Sequence, residues 1–301
     1  MLAIAFSGHE LRYIHWTRTG AEVRLNACQV IPWESELDPF RDVARVRDLI
    51  QRIIVDTGDA DETPIFVTVD AGLCHFALQE IDPQWNAREQ LDFIQRERFG
   101  DQPLYASFQY PLSLGAGQYL NVDCPMVLRR AVENALPATA DLPHSLSVGL
   151  FAAHSYAQRV VPALERGRRL FWRTSAGGHD QFLEIQDGEF KAIHFFQRHA
   201  TAVQHLRTIG QSGLQVAIAT FVEQLSGGRE AEFPEVDDVF VYLGSGSSSF
   251  LEGVLQVEQS ALSLLNPFWR WNWPEVPEAD NRFTQSAFTE LADAVWAGQD
   301  V

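Results

Sequence analysis

The chain has 301 residues, 46% hydrophobic and 11% aromatic, enough to fill the cores of two ordinary domains without metals or disulfides, which excludes a disordered chain. Lys and Arg number 23 against 40 Asp and Glu, formally −17, divided 14 against 22 over residues 1–166 and 9 against 18 over 167–301; neither half offers a basic face to phosphate backbones, so no nucleic-acid partner is expected. Lys191 is the one lysine and lies outside any Gly-x-x-x-x-Gly-Lys-Ser/Thr loop, which excludes a Walker-type phosphate site.

In chain order, residues 1–80 predict strands at Leu2–Ser7, Leu11–Thr19 and Glu22–Ile31, a helix over Pro39–Asp56, and a strand at Ile65–Val69. Gly8 and Gly20 punctuate the hairpins. The helix rests on Phe40, Val43, Val46, Leu49, Ile50 and Ile53, whose spacings of three and four put them on one face. Next come a helix over Trp85–Gly100, strands at Leu104–Leu112 and Tyr119–Val122, and a helix over Pro125–Leu136 with Pro125 in its first turn. A helix over Leu146–Val160 precedes the basic crossing Arg166-Gly167-Arg168-Arg169. Beyond it the opening order returns: strands at Arg169–Thr174, Asp180–Gln186 and Glu189–Phe196, the last two joined by a turn at Asp187-Gly188, a helical region over Ala200–Leu225, and a strand at Val239–Leu243.

A repeated β-β-β-α-β order predicts an α/β protein built on a duplicated ribonuclease-H-like core, the architecture of actin and the sugar kinases. The expected domains are 1–80 plus 143–166, a small α+β subdomain inserted at 81–142, and 167–301.

The cysteines, Cys28, Cys74 and Cys124, are far apart in sequence, odd in number and in no Cys-x-x-Cys pair, so they read as reduced, partly buried thiols of a cytoplasmic protein. The N-terminus lacks a basic n-region, and the longest uncharged stretch, Gln102–Val122, is broken by prolines and glycines. No signal peptide or direct membrane insertion is expected.

Several segments resemble the type IV pilus assembly family PilM and its relatives, the GspL cytoplasmic part and FtsA. The amphipathic stretch Ile81–Phe99, then Asp101-Gln102-Pro103-Leu104 and Tyr105–Tyr110, resembles that family's helix, proline and Tyr-Gln-like strand end. Leu120-Asn121-Val122-Asp123-Cys124-Pro125 is similar to its Val-Ala-Ala-Pro step from strand to helix, and Asn266-Pro267-Phe268 with Pro277–Phe283 to its close. The resemblance implies a scaffold of a type IV pilus or type II secretion-like assembly. It would be cytoplasmic and held at the inner membrane by a PilN-like partner, whose cytoplasmic peptide would lie in a groove of the first half near the insert. The oligomeric state stays open.

The resemblance also implies a nucleotide cleft made of two glycine-containing hairpins and a third glycine turn. Its vestige here would be Ser7, Gly8 and His9; Ser175, Gly177 and Gly178; and Gly244, Ser245 and Gly246. In that family an Asp in each hairpin holds the cation, directly or through water. Ala5 and Arg173 stand at those places, so neither ATP nor magnesium is expected to bind, and no residue is assigned to catalysis. The rival reading is an active ATP-dependent enzyme of the actin and sugar-kinase superfamily with divergent phosphate loops. It needs an acidic residue at the metal, from Asp70, Asp123 or Asp180, with Asp70 the best placed. A generic interaction module outside secretion systems is the third.

Other chemistry finds little footing. His194, His199 and His205 have spacings no single face aligns, which argues against zinc. The serines around Ser245 do not form a Gly-x-Ser-x-Gly elbow. Asp237-Asp238 reads as a solvated edge, the aromatic run Phe268–Trp273 as packing, and Arg166, Arg168 and Arg169 as a structural anchor.

Overall fold

Short runs rich in apolar and β-branched residues, closed by tight turns, become strands in the computed structural model, which describes residues 1–20, 22–33, 43–58, 65–80, 84, 89, 107–115, 118–135, 145–161, 164–246, 248–256, 261–268 and 282–297. In chain order the elements are β1 (Leu2–Phe6), β2 (Glu10–Thr19), β3 (Glu22–Pro32), α1 (Val43–Thr57), β4 (Ile65–Val69), β5 (His75–Glu80), β6 (Ser107–Gly115), β7 (Gln118–Pro125), α2 (Met126–Ala135), β8 (Ser145–Val148) and α3 (Gly149–Val160). There follow β9 (Arg168–Ser175), β10 (His179–Gln186), β11 (Glu189–Arg198), β12 (Val203–Gly210), α4 (Gln215–Ser226), β13 (Asp238–Ser245), α5 (Ser249–Gln256), β14 (Leu262–Leu264), α6 (Arg282–Ser286) and α7 (Thr289–Ala297). Contacts divide the chain into two compact units, residues 1–32, 63–71 and 143–301 in one and 33–62 and 72–142 in the other.

The first unit holds two sheets. One has five strands in the order β3-β2-β1-β4-β8, the other six in the order β12-β11-β10-β9-β13-β14. In each, three strands run as an antiparallel meander, and two later strands add in parallel beside the meander's first strand. This is the duplicated ribonuclease-H-like, actin-like fold, with β12 as an extra antiparallel edge on the second copy. The central strands read as apolar runs because both their faces are covered: every residue of β1 is buried. In the second sheet Trp172 is buried against Phe182, ring centroids 5.2 Å apart, with Phe221 and Phe250 edge-on to it. Asp187, at φ 52°, and Gly188, at φ 80°, make the two-residue turn expected between β10 and β11.

The second unit carries an antiparallel sheet in the order β5-β7-β6. Phe76 lies opposite Val122 on one face of it, and both are buried. Helix α1 buries Val46, Ile50, Ile53 and Ile54 along one stripe and packs on α2, which buries Leu128, Ala131, Val132 and Ala135.

Three sequence expectations are corrected. The region Ala200–Leu225 is not all helical: Val203–Gly210 is a strand, added along β11, and only Gln215–Ser226 is helix. Leu146–Val148 belongs to strand β8, with the helix starting at Gly149. Strand β5, hydrogen-bonded along β7, was not expected at all. The expected helix Trp85–Gly100, residues 104–106 of an expected strand and Phe40 lie outside the described residues, apart from Glu89, which is helical.

Helix α3 packs along α7 and against β8 and β9. On it His154 stands edge-on to Phe171, with centroids 5.1 Å apart, and burial pushes its pKa down to about 4 from 6.5. A histidine that must stay neutral when folded gives full stability above its unfolded pKa. As the pH falls from 6.5 towards 4 the unfolded chain takes up the proton first, and that stability is lost. At pH 5 the loss attributable to His154 is expected to be about 2 kcal/mol. The difference in urea-unfolding free energy between pH 7.5 and pH 5 should therefore shrink by that amount in His154→Leu; an unchanged difference would show that His154 is protonated in the fold.

Candidate functional site

The duplicated topology places the ends of the two β-hairpins together, and their chemistry repeats. Between β1 and β2 the Ser7 hydroxyl accepts the backbone N–H groups of His9 and Glu10 and donates to the Glu10 carbonyl. Between β9 and β10 the Ser175 hydroxyl accepts the His179 N–H and donates to the His179 carbonyl. These are local serine turns, each sealing its own hairpin. The rings of His9 and His179 stack across the pair of turns, centroids 6.0 Å apart and planes 24° apart. Gly178 in turn accepts the Arg198 N–H, and the Gly177 carbonyl accepts from the Gln197 side chain.

The third turn closes on the same place. The Ala176 N–H donates to the Ser245 carbonyl at 3.0 Å. The Gly246 N–H donates to Glu10 Oε2 at 3.2 Å, so a carboxylate of the chain itself takes this amide. A Cβ on Gly244 would lie 2.5 Å from the Arg173 Cζ. Glycine is needed at 244 because the Arg173 side chain runs directly against the backbone there.

Beneath the turns lies a buried network of charges. Arg173, 1% exposed, points its guanidinium at Asp70 Oδ2 at 3.0 Å and Glu290 Oε1 at 2.7 Å, and donates to the Gly244 carbonyl at 2.9 Å. Arg12, fully buried on β2, reaches the other oxygen of the same carboxylate, Glu290 Oε2, at 2.9 Å, and also donates to the Ala287 carbonyl. Glu10 stands 3.6 Å from Arg12 Nε. The Tyr242 hydroxyl donates to Glu290 Oε1 at 3.2 Å, and the Gln181 amide donates to Asp70 Oδ1. Glu290 is thus the hub. It sits in the first turn of α7, and Gly149 at the start of α3 comes so close that a Cβ there would lie 2.4 Å from its carboxyl carbon.

Burial on its own weakens the hold of Arg173 on its proton, but the carboxylates of Asp70 and Glu290 outweigh it and the net pKa shift is upward. Burial, then the negative Glu290 beside it, drives the Tyr242 phenol well above its ordinary pKa, so it remains a neutral donor. Register explains why these residues meet. Arg173 stands two residues before Ser175, as Ala5 stands two before Ser7. Ala5 pairs with Arg12 and Thr68; Arg173 pairs with Gln181 and Tyr242. Asp70 and Gly244 each follow two residues after the β4 and β13 partners. Corresponding points of the two copies face one another, and one copy supplies a methyl where the other supplies a long cation.

The remaining residues picked out in the sequence take structural places. Asp180 binds Arg198 Nε at 2.9 Å and the Thr174 hydroxyl; burial is the larger influence and raises its pKa despite Arg198. Asp123 lies in the second unit, opposite His75. His194 and His205, which sequence spacing kept apart, both reach the Thr208 hydroxyl, at 2.9 and 2.8 Å, while His194 Nε2 lies 3.1 Å from Glu184. Asp237-Asp238 is not merely a solvated edge: Asp237 accepts the Arg168 N–H at 2.7 Å, and Asp238 pairs with Arg169 at 2.9 Å. Arg168 and Arg169 therefore serve as anchors, and Phe268 is fully buried against Trp296. No group of three or more metal-ligating side chains occurs among the described residues, nor is any helix there long and apolar enough to cross a membrane.

Sequence reasoning reached Arg173 and Asp70 but missed Arg12, Tyr242 and Glu290. The available signal was a charge in an apolar run, Leu11-Arg12-Tyr13-Ile14, and a carboxyl amid Phe288, Leu291 and Ala292.

No family model matches the sequence, and no curated protein matches it. Among solved structures, the chain is similar to one described as a PilM-PilN type IV pilus biogenesis complex, with a TM-score of 0.59 and 14% identity, covering 99% of this chain and 98% of that one. It is also similar to the cytoplasmic domain of EpsL, an inner-membrane component of the type II secretion system of Vibrio cholerae, at TM-score 0.44 and 13% identity, covering 98% and 94%. A polyphosphate/ATP-glucomannokinase from Arthrobacter gives a TM-score of 0.41 at 11% identity, covering 98% of both chains. The first of these shares the actin-like fold along nearly the whole chain.

Proposed function

We propose that this chain is a non-catalytic actin-like scaffold of a type IV pilus or type II secretion-like assembly, working in the cytoplasm and held at the inner membrane by the tail of a PilN-like partner. The observation that carries the loss of catalysis is Arg173, which lies between Asp70 and Glu290 and against the Gly244 carbonyl. Magnesium would need carboxylates free to face it. Ala5 offers a methyl, and Asp70, the best candidate for an active enzyme, already faces a guanidinium. Glu10 holds the Gly246 amide, one of the backbone donors a phosphate would use. The residues therefore do not suit magnesium-ATP.

The assembly role is supported by the fold shared with a chain of the PilM-PilN type IV pilus biogenesis complex and by the sequence resemblance in residues 81–125. Recognition is assigned to the segment 81–142. A peptide docking on a preformed surface meets mainly its own ordering entropy, which is compatible with micromolar affinity, about −8 kcal/mol.

Calorimetry tests both parts. A synthetic peptide of the cytoplasmic N-terminal segment of a PilN-like inner-membrane protein should bind at micromolar concentration. Millimolar magnesium-ATP should give no binding heat and release no phosphate. Micromolar ATP affinity, with phosphate release abolished by Asp70→Ala, would establish the ATP-dependent enzyme instead. Silence towards both ligands would leave the fold without this partner and overturn the scaffold reading.

A further inference from the structure

Strands β5 and β7 run antiparallel with His75 opposite Asp123. One step further along that ladder Cys74 and Cys124, which are separated by 50 positions in the chain, come opposite one another. Their sulfurs lie 3.4 Å apart, both residues are buried, and neither is in a disulfide. A disulfide needs about 2.05 Å between sulfurs and α-carbons about 4.4–6.8 Å apart, a range that includes the roughly 4.5–5.5 Å of directly opposed positions in an antiparallel pair. Closing the remaining gap is a matter of side-chain rotation within the existing register, without sliding a strand.

We propose that Cys74 and Cys124 are a dithiol modification site that closes reversibly to a disulfide under a peroxide or disulfide oxidant, clamping β5 onto β7. With peroxide, one thiolate attacks the O–O bond and becomes a sulfenic acid, and water leaves after proton transfer. The second thiolate then attacks that sulfur and expels the oxygen as a second water. The pair has lost two electrons and two protons, and the peroxide has been reduced to two waters. A thiol reductant reverses the change by exchange. Because both sulfurs are buried, oxidation proceeds through local opening of the strand ends, so closure is slow compared with an exposed dithiol.

Cys28 is the internal control. It lies on β3 in the other unit, and burial pushes its thiol up to about 12, so it contributes little thiolate at neutral pH.

The test uses the full chain, with hydrogen peroxide or diamide as probe. After oxidation and unfolding in denaturant, alkylatable thiols should fall from the three in the sequence to Cys28 alone. The intact mass should drop by two hydrogens, and a non-reducing peptide map should join the Cys74 and Cys124 peptides. Dithiothreitol should restore all the thiols. The oxidised chain should unfold at a higher urea concentration than the reduced one, and Cys124→Ser should abolish both the cross-link and that shift. Retention of every thiol after prolonged oxidation, over-oxidation of either cysteine without a cross-link, or a cross-link involving Cys28 would each overturn the proposal.

Discussion

Glu290→Ala is expected to destabilise the chain by about 3–5 kcal/mol, because it takes from two buried guanidiniums the carboxylate that they share at 2.7 and 2.9 Å. Arg173 would keep Asp70 and the Gly244 carbonyl, and Arg12 would keep the Ala287 carbonyl and, at 3.6 Å, the Glu10 carboxylate. The Tyr242 hydroxyl, which donates to Glu290, would lose an acceptor in a site without solvent. For a chain of this length the loss corresponds to a fall of about 10 °C in Tm. Thermal unfolding followed by far-ultraviolet circular dichroism measures it. Glu290→Gln separates charge from shape: it fills the same space beside Gly149, so a similar loss would locate the effect in the missing charge. A loss below about 1 kcal/mol in both variants would mean that water reaches the guanidiniums and that the network contributes as little as a surface ion pair.

The network also shows what a sequence can and cannot display. The two β-hairpin meanders were legible because each is local: period-two alternation and turns such as Asp187-Gly188 lie within a few residues of the strands they order. Strand β12 was not. Its residues Gln204, His205 and Leu206 are exposed along an edge, so the alternation that marks a half-buried strand is missing, and its pairing with β11 leaves no local trace. Strand β8 was hidden for a different reason. Its four residues run without a break into α3, and only parallel pairing with β4, far back in the chain, makes them extended. The site was readable to the same degree. Arg173 could be picked out by its place in a repeated hairpin, whereas Arg12 and Glu290 meet across 278 residues of chain. Nothing near either in sequence names the other. A buried ion pair is visible beforehand only as a charge in an apolar run, and the partner emerges from topology.

Arg173→Asp would put a carboxylate at the position where the resemblance to the PilM family implies one, and it is expected to unfold the chain at neutral pH rather than yield a metal site. The substitution removes the cation that holds Asp70 and Glu290 and puts a further carboxyl between them, at a place now 1% exposed. Losing the ion pairs costs about 3–5 kcal/mol, and repulsion among buried carboxylates adds to it. The sum is comparable with the whole stability of an ordinary domain, about 5–15 kcal/mol. The expected result is insoluble protein, or a Tm lowered by more than about 10 °C. Adding Asp70→Asn should recover part of the loss, because it removes one of the facing charges while keeping an acceptor for the Gln181 amide. Gly244 contributes nothing to that rescue: its missing side chain makes room for the arginine. If Arg173→Asp instead folds with little change in Tm and binds magnesium-ATP, the turns around Ser7, Ser175 and Gly246 have kept a working phosphate cradle. Arg173 would then be the one barrier to nucleotide, and the non-catalytic reading would rest on a single substitution rather than on a rebuilt core.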